Sequence, residues 1–480
     1  MNKGKIEESV LDKNLARIFG IMLKSPKQKG YQPTNNPDLK AHAEVTRKAA
    51  TEGMVLLENK DALPLSSDVN NIAVFGTTSY EFFSGGTGSG DVNEAYTISL
   101  IQGLTNGGLT ADNELNEIYL QYIKDTRIKM GPPKNWLAAL MGVKQPVPEM
   151  AVSMELAKKM AVKTQVALIT IGRNSGEGRD RKPETGDFYL TDTEQEMIKN
   201  VSEAFQAIGK KAIVILNIGG AIETDSWRNI PDAVLCVWQP GQEGGNSVVD
   251  VLTGKVNPSG RLAITWPVKY EDSPTAKNFP GVAVESEEND AAKDMSGFSF
   301  MRRIPWEVVY EEDIYVGYRY YSTFDVPVSY EFGYGLSYST FEYSDIKISS
   351  KKLKDKIDIS VTIKNKGKVN GKEVVQIYAS APDKKLEKPS IELVAFGKTK
   401  KLAPGESQTL NFTITTNDLA SFDESASSWI VEDGDYALKV GTSSKNIKAI
   451  ETFVVENTIT VEKLNKALSP NRKINRLSKK

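Results

Sequence analysis

A glutamate flanked by glycines stands directly after an apolar run in the segment NSGEGRDRKPETGDFYL (174–190). Glu177 lies between Gly176 and Gly178, and Arg179, Asp180 and Arg181 follow. Glycines on both sides let a loop bring a carboxyl group close to another surface without steric penalty. A carboxyl group desolvated by such a surface keeps its proton toward neutral pH and can serve as a general acid. On an open loop the same residue is an ordinary solvated glutamate, and the residues alone leave both readings open. Asp180 and Arg181 read as groups that pair and shape the loop. A second candidate is FFSGGTGSGD (82–91). It has no Lys after its glycines and no helix follows at once, so it is no phosphate cradle. Gly85, Gly86, Gly88 and Gly90 suit either a tight turn or close approach to a sugar-sized ligand, with the Ser89 hydroxyl able to donate or accept a hydrogen bond. In the third, WQPGQEGGNSVVDVLTGKVNPSGRL (238–262), Gln242 and Glu243 stand at a strand-to-helix turn. Glu243 is read as a first-turn charge that complements the helix dipole.

These candidates need a scaffold, and the apolar pattern supplies one. From about 38 to 270, continuous apolar runs at 71–76, 165–172, 211–219 and 233–239 alternate with helical patterns. The helical stretches are AHAEVTRKAATEGMVLLE, SMELAKKMAVKT, TDTEQEMIKNVSEAFQAIG and GNSVVDVLTG. That alternation predicts an α/β fold with a largely parallel sheet covered by helices. Ligands bind beyond the carboxyl ends of such strands, which points to the loops starting near Thr77, Arg173 and Gly219. Before this region, VLDKNLARIFGIML has helical spacing and GYQPTNNP breaks it. After it, the tyrosine-rich stretch 310–343 either lines a sugar site or clamps a linker between domains. From 341 to 456 short alternating segments separated by turn residues predict an all-β part, a β-sandwich. The basic tail NKALSPNRKINRLSKK reads as a solvated extension or a strap.

Composition narrows the function classes. The formal net charge is −2, with 60 basic against 62 acidic residues, which gives no sign of a nucleic-acid partner. No apolar run approaches the ~20 residues of a membrane span, and the charged opening MNKGKIEESV lacks a signal-peptide core. A soluble, cytoplasmic protein is expected. Cys236 is the single cysteine and falls in the apolar run AVLCVW, so it reads as a small core residue. With one histidine, His42, on the exposed face of a helical pattern, neither a zinc site nor a Ser-His-Asp triad can be assembled. No metal and no organic cofactor are expected.

Together the segments resemble glycoside hydrolase family 3. The likeness runs through AATEGMVLLEN-DALPL (49–65), NIAVFG (71–76), GGTGSGD (85–91), SGEGRDRKPETGDFYL (175–190), ILNIGGAIETDSW (215–227) and the long stretch 238–267. It continues through YEEDIYVGYRYYSTF (310–324) and YEFGYGLSYSTFEY (330–343), then into segments similar to that family's fibronectin type III-like domain (371–380, 388–399, 434–444). The resemblance is to the bacterial three-domain β-glucosidases. It implies that Glu177 is the acid/base carboxylate of the α/β sandwich domain, and that the glycine-rich loop meets the sugar through Ser89. The implied organisation is residues 1–37 as the exit helix and linker of a (β/α)8 barrel, 38–280 as the α/β sandwich and 281–340 as a connector. The fibronectin type III-like domain then covers 341–456 and a basic tail 457–480. The barrel, which carries the nucleophilic aspartate in the family and needs ~250 residues, has no room here. A β-glucoside or oligosaccharide substrate is expected, with a separate barrel polypeptide as partner. The competing expectation is a non-catalytic sugar- or partner-binding protein derived from such an enzyme.

Overall fold

A computed structural model of the chain describes residues 7–132, 145–176, 180–284, 306–466, 469–470 and 472–479. It divides into two compact units, Met1–Val45 and Thr46–Lys480. The first is built on helix α1 (Glu8–Lys24), in which no residue is buried. Val10, Leu15, Ile18, Phe19 and Met22 are all exposed along it. Helix α2 (Leu39–Gly53) spans the division.

In the second unit a six-stranded sheet comprises β1 (Val55–Asn59), β2 (Asn71–Phe75), β3 (Thr110–Ala111), β4 (Val166–Arg173), β5 (Lys211–Ile218) and β6 (Ala233–Cys236), in the spatial order β1-β6-β5-β4-β2-β3. β2 to β6 run parallel, as expected for β2, β4, β5 and β6 from their continuous apolar runs; the two-residue β3 adds a strand the sequence reading did not name. β1 is antiparallel, with Val55 opposite Cys236. Here the helical reading of AHAEVTRKAATEGMVLLE is corrected: α2 stops at Gly53 and VLLEN, after Met54, becomes the edge strand β1. The reason is two-sided burial. Val55 and Leu57 enter the core on one face of the sheet while Met54 and Leu56 enter the core on the other. A short apolar run of this kind does not declare its own period.

Helices α3 (Leu100–Asn106), α4 (Asn113–Met130), α5 (Met154–Lys163), α6 (Asp192–Gln206) and α7 (Gly244–Leu252) cover the two faces. One face buries Leu115, Tyr119, Met160, Met197, Val201 and Phe205 from α4, α5 and α6. The other buries Leu100, Leu104, Val248, Val251 and Leu252 from α3 and α7. Helix starts carry hydroxyl or carboxylate caps: Ser99 with Gln102, Asp112, Ser153, and Thr191 with Glu194.

The all-β part is a sandwich. One sheet orders β7 (Phe341–Ile348), β8 (Lys356–Asn365) and β11 (Ser407–Thr415). The other orders β10 (Glu392–Lys398), β9 (Val374–Ser380), β12 (Gly434–Gly441) and β13 (Ile447–Val455). Ile357, Ile359, Val361 and Ile363 alternate inward along β8, giving the period of two read from the sequence. A strand at Ile459–Lys463 pairs with Ser428–Val431, so the stretch read as a tail from 457 begins with sheet. Beyond it Arg472, Arg476 and Lys479 pair with Glu307, Asp313 with Glu424, and Asp383, which makes the tail a strap.

Of the two readings of the tyrosine-rich stretch, the described residues act as a clamp. Tyr315, Tyr321 and Tyr330 are buried. Tyr334 and Tyr338 donate to the carbonyls of Leu57 (3.0 Å) and Val251 (2.9 Å). Tyr318 stacks on Phe332 at 4.5 Å and accepts from the Leu393 amide. Arg261 and Glu373, 2.8 Å apart and both buried, close the α/β–sandwich junction, and Glu52 receives Lys372 and Lys398 beside it.

Candidate functional site

The carboxyl ends of β2, β4, β5 and β6 open into loops that pack on one another at their bases. Asn217, fully buried near the end of β5, makes the first tie. Its carbonyl oxygen accepts from the Phe83 amide at 2.7 Å, and its Nδ2 donates to Phe83 O (3.0 Å) and Trp238 O (2.7 Å). The glycine-rich loop after β2 and the turn after β6 are thereby hung on the central strand. A single polar residue at the end of the apolar run KAIVILNIG was the signal that could have found Asn217, since a buried amide needs partners.

The loop carrying Glu177 docks onto the glycine-rich loop. The Thr87 amide donates to Ser175 O at 2.9 Å, and Thr87 and Gly176 form a parallel bridge. Gln239 straddles the two, donating to Gly85 O at 3.2 Å and to Asn174 Oδ1 at 2.7 Å. The approach is so close that glycine is required: a Cβ on Gly86 would stand 2.6 Å from Ser175 O, and one on Gly219 would stand 1.7 Å from Ser175 Oγ. All three loops marked by strand ends, those starting near Thr77, Arg173 and Gly219, therefore meet at Ser175.

Glu177 itself lies outside the described residues; Gly176 and Asp180 are the described neighbours on either side. Ser89 sits at the exposed tip of the glycine-rich loop, in a single 3-10 turn (Gly88–Gly90). Arg181 binds Asp187 at 2.6 Å and the Asn174 carbonyl, while Tyr270 donates to Arg181 O at 3.1 Å, so the returning arm of the 174–190 loop is also fixed. Glu243 stands at the start of α7, as its charge suggested. Its carboxylate accepts from Tyr96 (2.6 Å) and Asn246 (2.7 Å), with Arg47 at 3.9 Å, and this bonding belongs to structure rather than reaction. Cys236 is buried in β6 and burial pushes its thiol pKa far up, which leaves it inert.

Beside the docked loops a cavity of about 620 Å³ is lined by Thr77, Phe83, Glu149, Asn174, Arg181 and Asp187, among others. Glu149 accepts from the Thr77 amide (2.9 Å) and the Met150 amide (2.8 Å). Burial raises its carboxyl pKa to about 7, against the opposing pull of those two amides. Nothing in the sequence around Glu149 separated it from other loop glutamates.

Comparison with known proteins bears on this geometry. Residues 54–338 match the glycosyl hydrolase family 3 C-terminal domain, and residues 373–444 match a fibronectin type III-like domain. Beta-glucosidase A of Butyrivibrio fibrisolvens is 35% identical over 89% of this chain and 53% of its own length. A beta-glucosidase of Ruminococcus albus is also 35% identical, over 90% of this chain and 43% of its own length. The structure of beta-glucosidase 3B from Thermotoga neapolitana in complex with alpha-D-glucose superposes with a TM-score of 0.82 and 46% identity, covering 96% of this chain and 60% of that one. The chain thus spans about half the length of the curated relatives it matches.

Proposed function

This chain belongs to glycosyl hydrolase family 3, and from that premise we propose that its α/β domain supplies the acid/base carboxylate, Glu177, for retaining hydrolysis of β-glucosides. The nucleophile comes from a (β/α)8 barrel domain outside the described residues. The observation that carries this reading is the docking of Asn174, Ser175 and Gly176 onto Gly85–Thr87 and Gln239, which fixes one stem of the glutamate's loop at the ligand-binding edge of the sheet.

A retaining glycosidase sets two carboxyl groups about 5–5.5 Å apart. One attacks the anomeric carbon while the other protonates the leaving oxygen. The second then takes a proton from the water that releases the sugar. In this scheme Glu177 is first acid and then base. To be protonated near neutral pH it must be desolvated, and the barrel is the surface that desolvates it. Ser89, at the tip of the adjoining loop, contributes a hydroxyl to the bound sugar. No step calls for a metal or an organic cofactor.

The test mixes the chain with a separately produced family barrel and follows an aryl β-glucoside. Turnover is expected only in the mixture, and Glu177→Gln should lower it by ~10²-fold or more. Turnover by the chain alone that survives Glu177→Gln would overturn both the role and the dependence. Saturable glucose binding with no turnover in the mixture would instead favour a sugar-binding protein derived from the enzyme.

A further inference from the structure

Arg173 and Glu194 form a buried ion pair, each side chain 8% exposed. Arg173 is the last residue of β4, immediately before the loop that carries Glu177. Glu194 lies in the first turn of α6, immediately after that loop. The guanidinium reaches both stems at once. Its two terminal nitrogens donate to the two Glu194 oxygens at 2.7 Å each, one of them also to Gly172 O at 2.7 Å, and Nε donates to Asp187 O at 2.9 Å. Glu194 in turn accepts from the Thr191 amide (2.8 Å) and hydroxyl (3.0 Å). Asp187 holds Arg181 at 2.6 Å and the Lys182 amide at 3.1 Å. One side chain therefore ties the strand entering the loop to the loop's returning arm at Asp187 and to the helix that follows it.

A buried pair of this kind is a poor device for stability, because desolvation offsets its Coulomb attraction and apolar replacements are commonly neutral. What it does supply is geometry. A planar guanidinium engaged by two parallel bonds, plus a third at Nε, admits essentially one arrangement of its partners. A catalytic carboxyl group needs such support, since it must be held to within about half an ångström of its working position. A long loop open at its base would not provide it.

We propose that Arg173 and Glu194 are positioning residues for the acid/base carboxylate, locking the base of the 174–190 loop. This rests on the reading of Glu177 given above. Misplacing a general acid slows substrates whose leaving group must be protonated far more than substrates whose leaving group departs as a stable anion. A role confined to folding would slow both alike.

Two variants test it: Glu194→Gln, and the double replacement Arg173→Met with Glu194→Met, whose apolar side chains of similar size keep the site filled. Amide exchange is measured on the chain at Gly186 and Asp187, and rates are measured in the mixture with a family barrel on phenyl and 2,4-dinitrophenyl β-glucosides. The double variant is expected to melt within a few degrees of the parent. Its exchange at the two amides should rise by ~10-fold or more, and its kcat/KM, which reports the step that expels the leaving group, should fall by ~10²-fold on the phenyl substrate but under ~5-fold on the dinitrophenyl one. Glu194→Gln, which leaves a buried guanidinium without its charge partner, should shift both readouts in the same direction. A folded double variant with parental exchange would overturn the proposal, and so would equal losses on the two substrates. If Glu177→Gln leaves the ratio between substrates unchanged, the acid/base reading fails, while the exchange result still decides whether the pair locks the loop.

Discussion

Three glycines at the carboxyl edge of the parallel sheet and one glycine in a turn of the β-sandwich, Gly405, occupy opposite situations. Gly86, Gly176 and Gly219 have another loop where a side chain would be: the nearest atoms to an added Cβ lie 2.6, 2.4 and 1.7 Å away. Gly405, in the turn APGES between two sandwich strands, has nothing within 4 Å. The turn glycine serves its own backbone, with φ at +81°, whereas the edge glycines serve loop-to-loop contact. The difference marks where two loops approach too closely for a side chain, and it sets a ranking of mutational effects.

The largest effect is expected at Gly176. An alanine there must keep φ near +145° and also displace the Thr87 backbone, so the Thr87–Ser175 bond opens. Amide exchange at Thr87 should rise by ~30- to 150-fold, which is roughly 2–3 kcal/mol of local opening. Gly86→Ala should produce the same change to a lesser degree, because only the Ser175 carbonyl must move. Gln239→Ala removes two hydrogen bonds between the loops and should cost about 1–2 kcal/mol of that same local opening. Gly405→Ala is the control: it should lower global stability by about 1 kcal/mol and leave Thr87 exchange unchanged. Equal effects at Gly405 and Gly176 in the exchange measurement would erase the contrast.

Glu149 offers a smaller, pH-dependent effect in the same region. Its carboxyl keeps a proton up to about pH 7 in the folded chain, whereas in the unfolded chain it loses it near its ordinary value of 4.5. Between those values the folded state binds more protons than the unfolded state. Stability should therefore fall as pH rises from about 4.5 to 7. Glu149→Gln should flatten that part of the profile in thermal melts; an unchanged slope would show that Glu149 does not titrate there.

Much of this architecture was legible in the residues. Continuous runs such as QVALITIG, set between amphipathic helical stretches, read as strands buried on both faces, and the alternation in KIDISVTIKN read as a half-buried strand, so the α/β and β-sandwich parts followed from the pattern of runs. MVLLEN was not legible, because four adjacent apolar residues fit a buried helix as well as an edge strand. Helix α4 went unread because just Leu115, Tyr119 and Ile123 mark its buried face within a polar segment. In the candidate site, the loop of Glu177 and the glycine-rich loop were found from strand ends and glycine content. Their supports were not: Asn217, Gln239, Arg173 and Glu194 tie these loops through partners 14 to 154 positions away in the chain. Residue type carries no record of such partners. The capping box Thr191–Glu194 was readable as a helix start, but the second use of its glutamate against Arg173 needed the fold.

The central claim, that this chain carries one carboxylate of a two-carboxylate mechanism, is tested most directly by the rate of aryl β-glucoside hydrolysis in a mixture of this chain with a family barrel, with and without Glu177→Gln. The account predicts turnover that appears only in the mixture and falls by ~10²-fold or more in the variant. Hydrolysis of equal rate by the parent and the Glu177→Gln chain would contradict it.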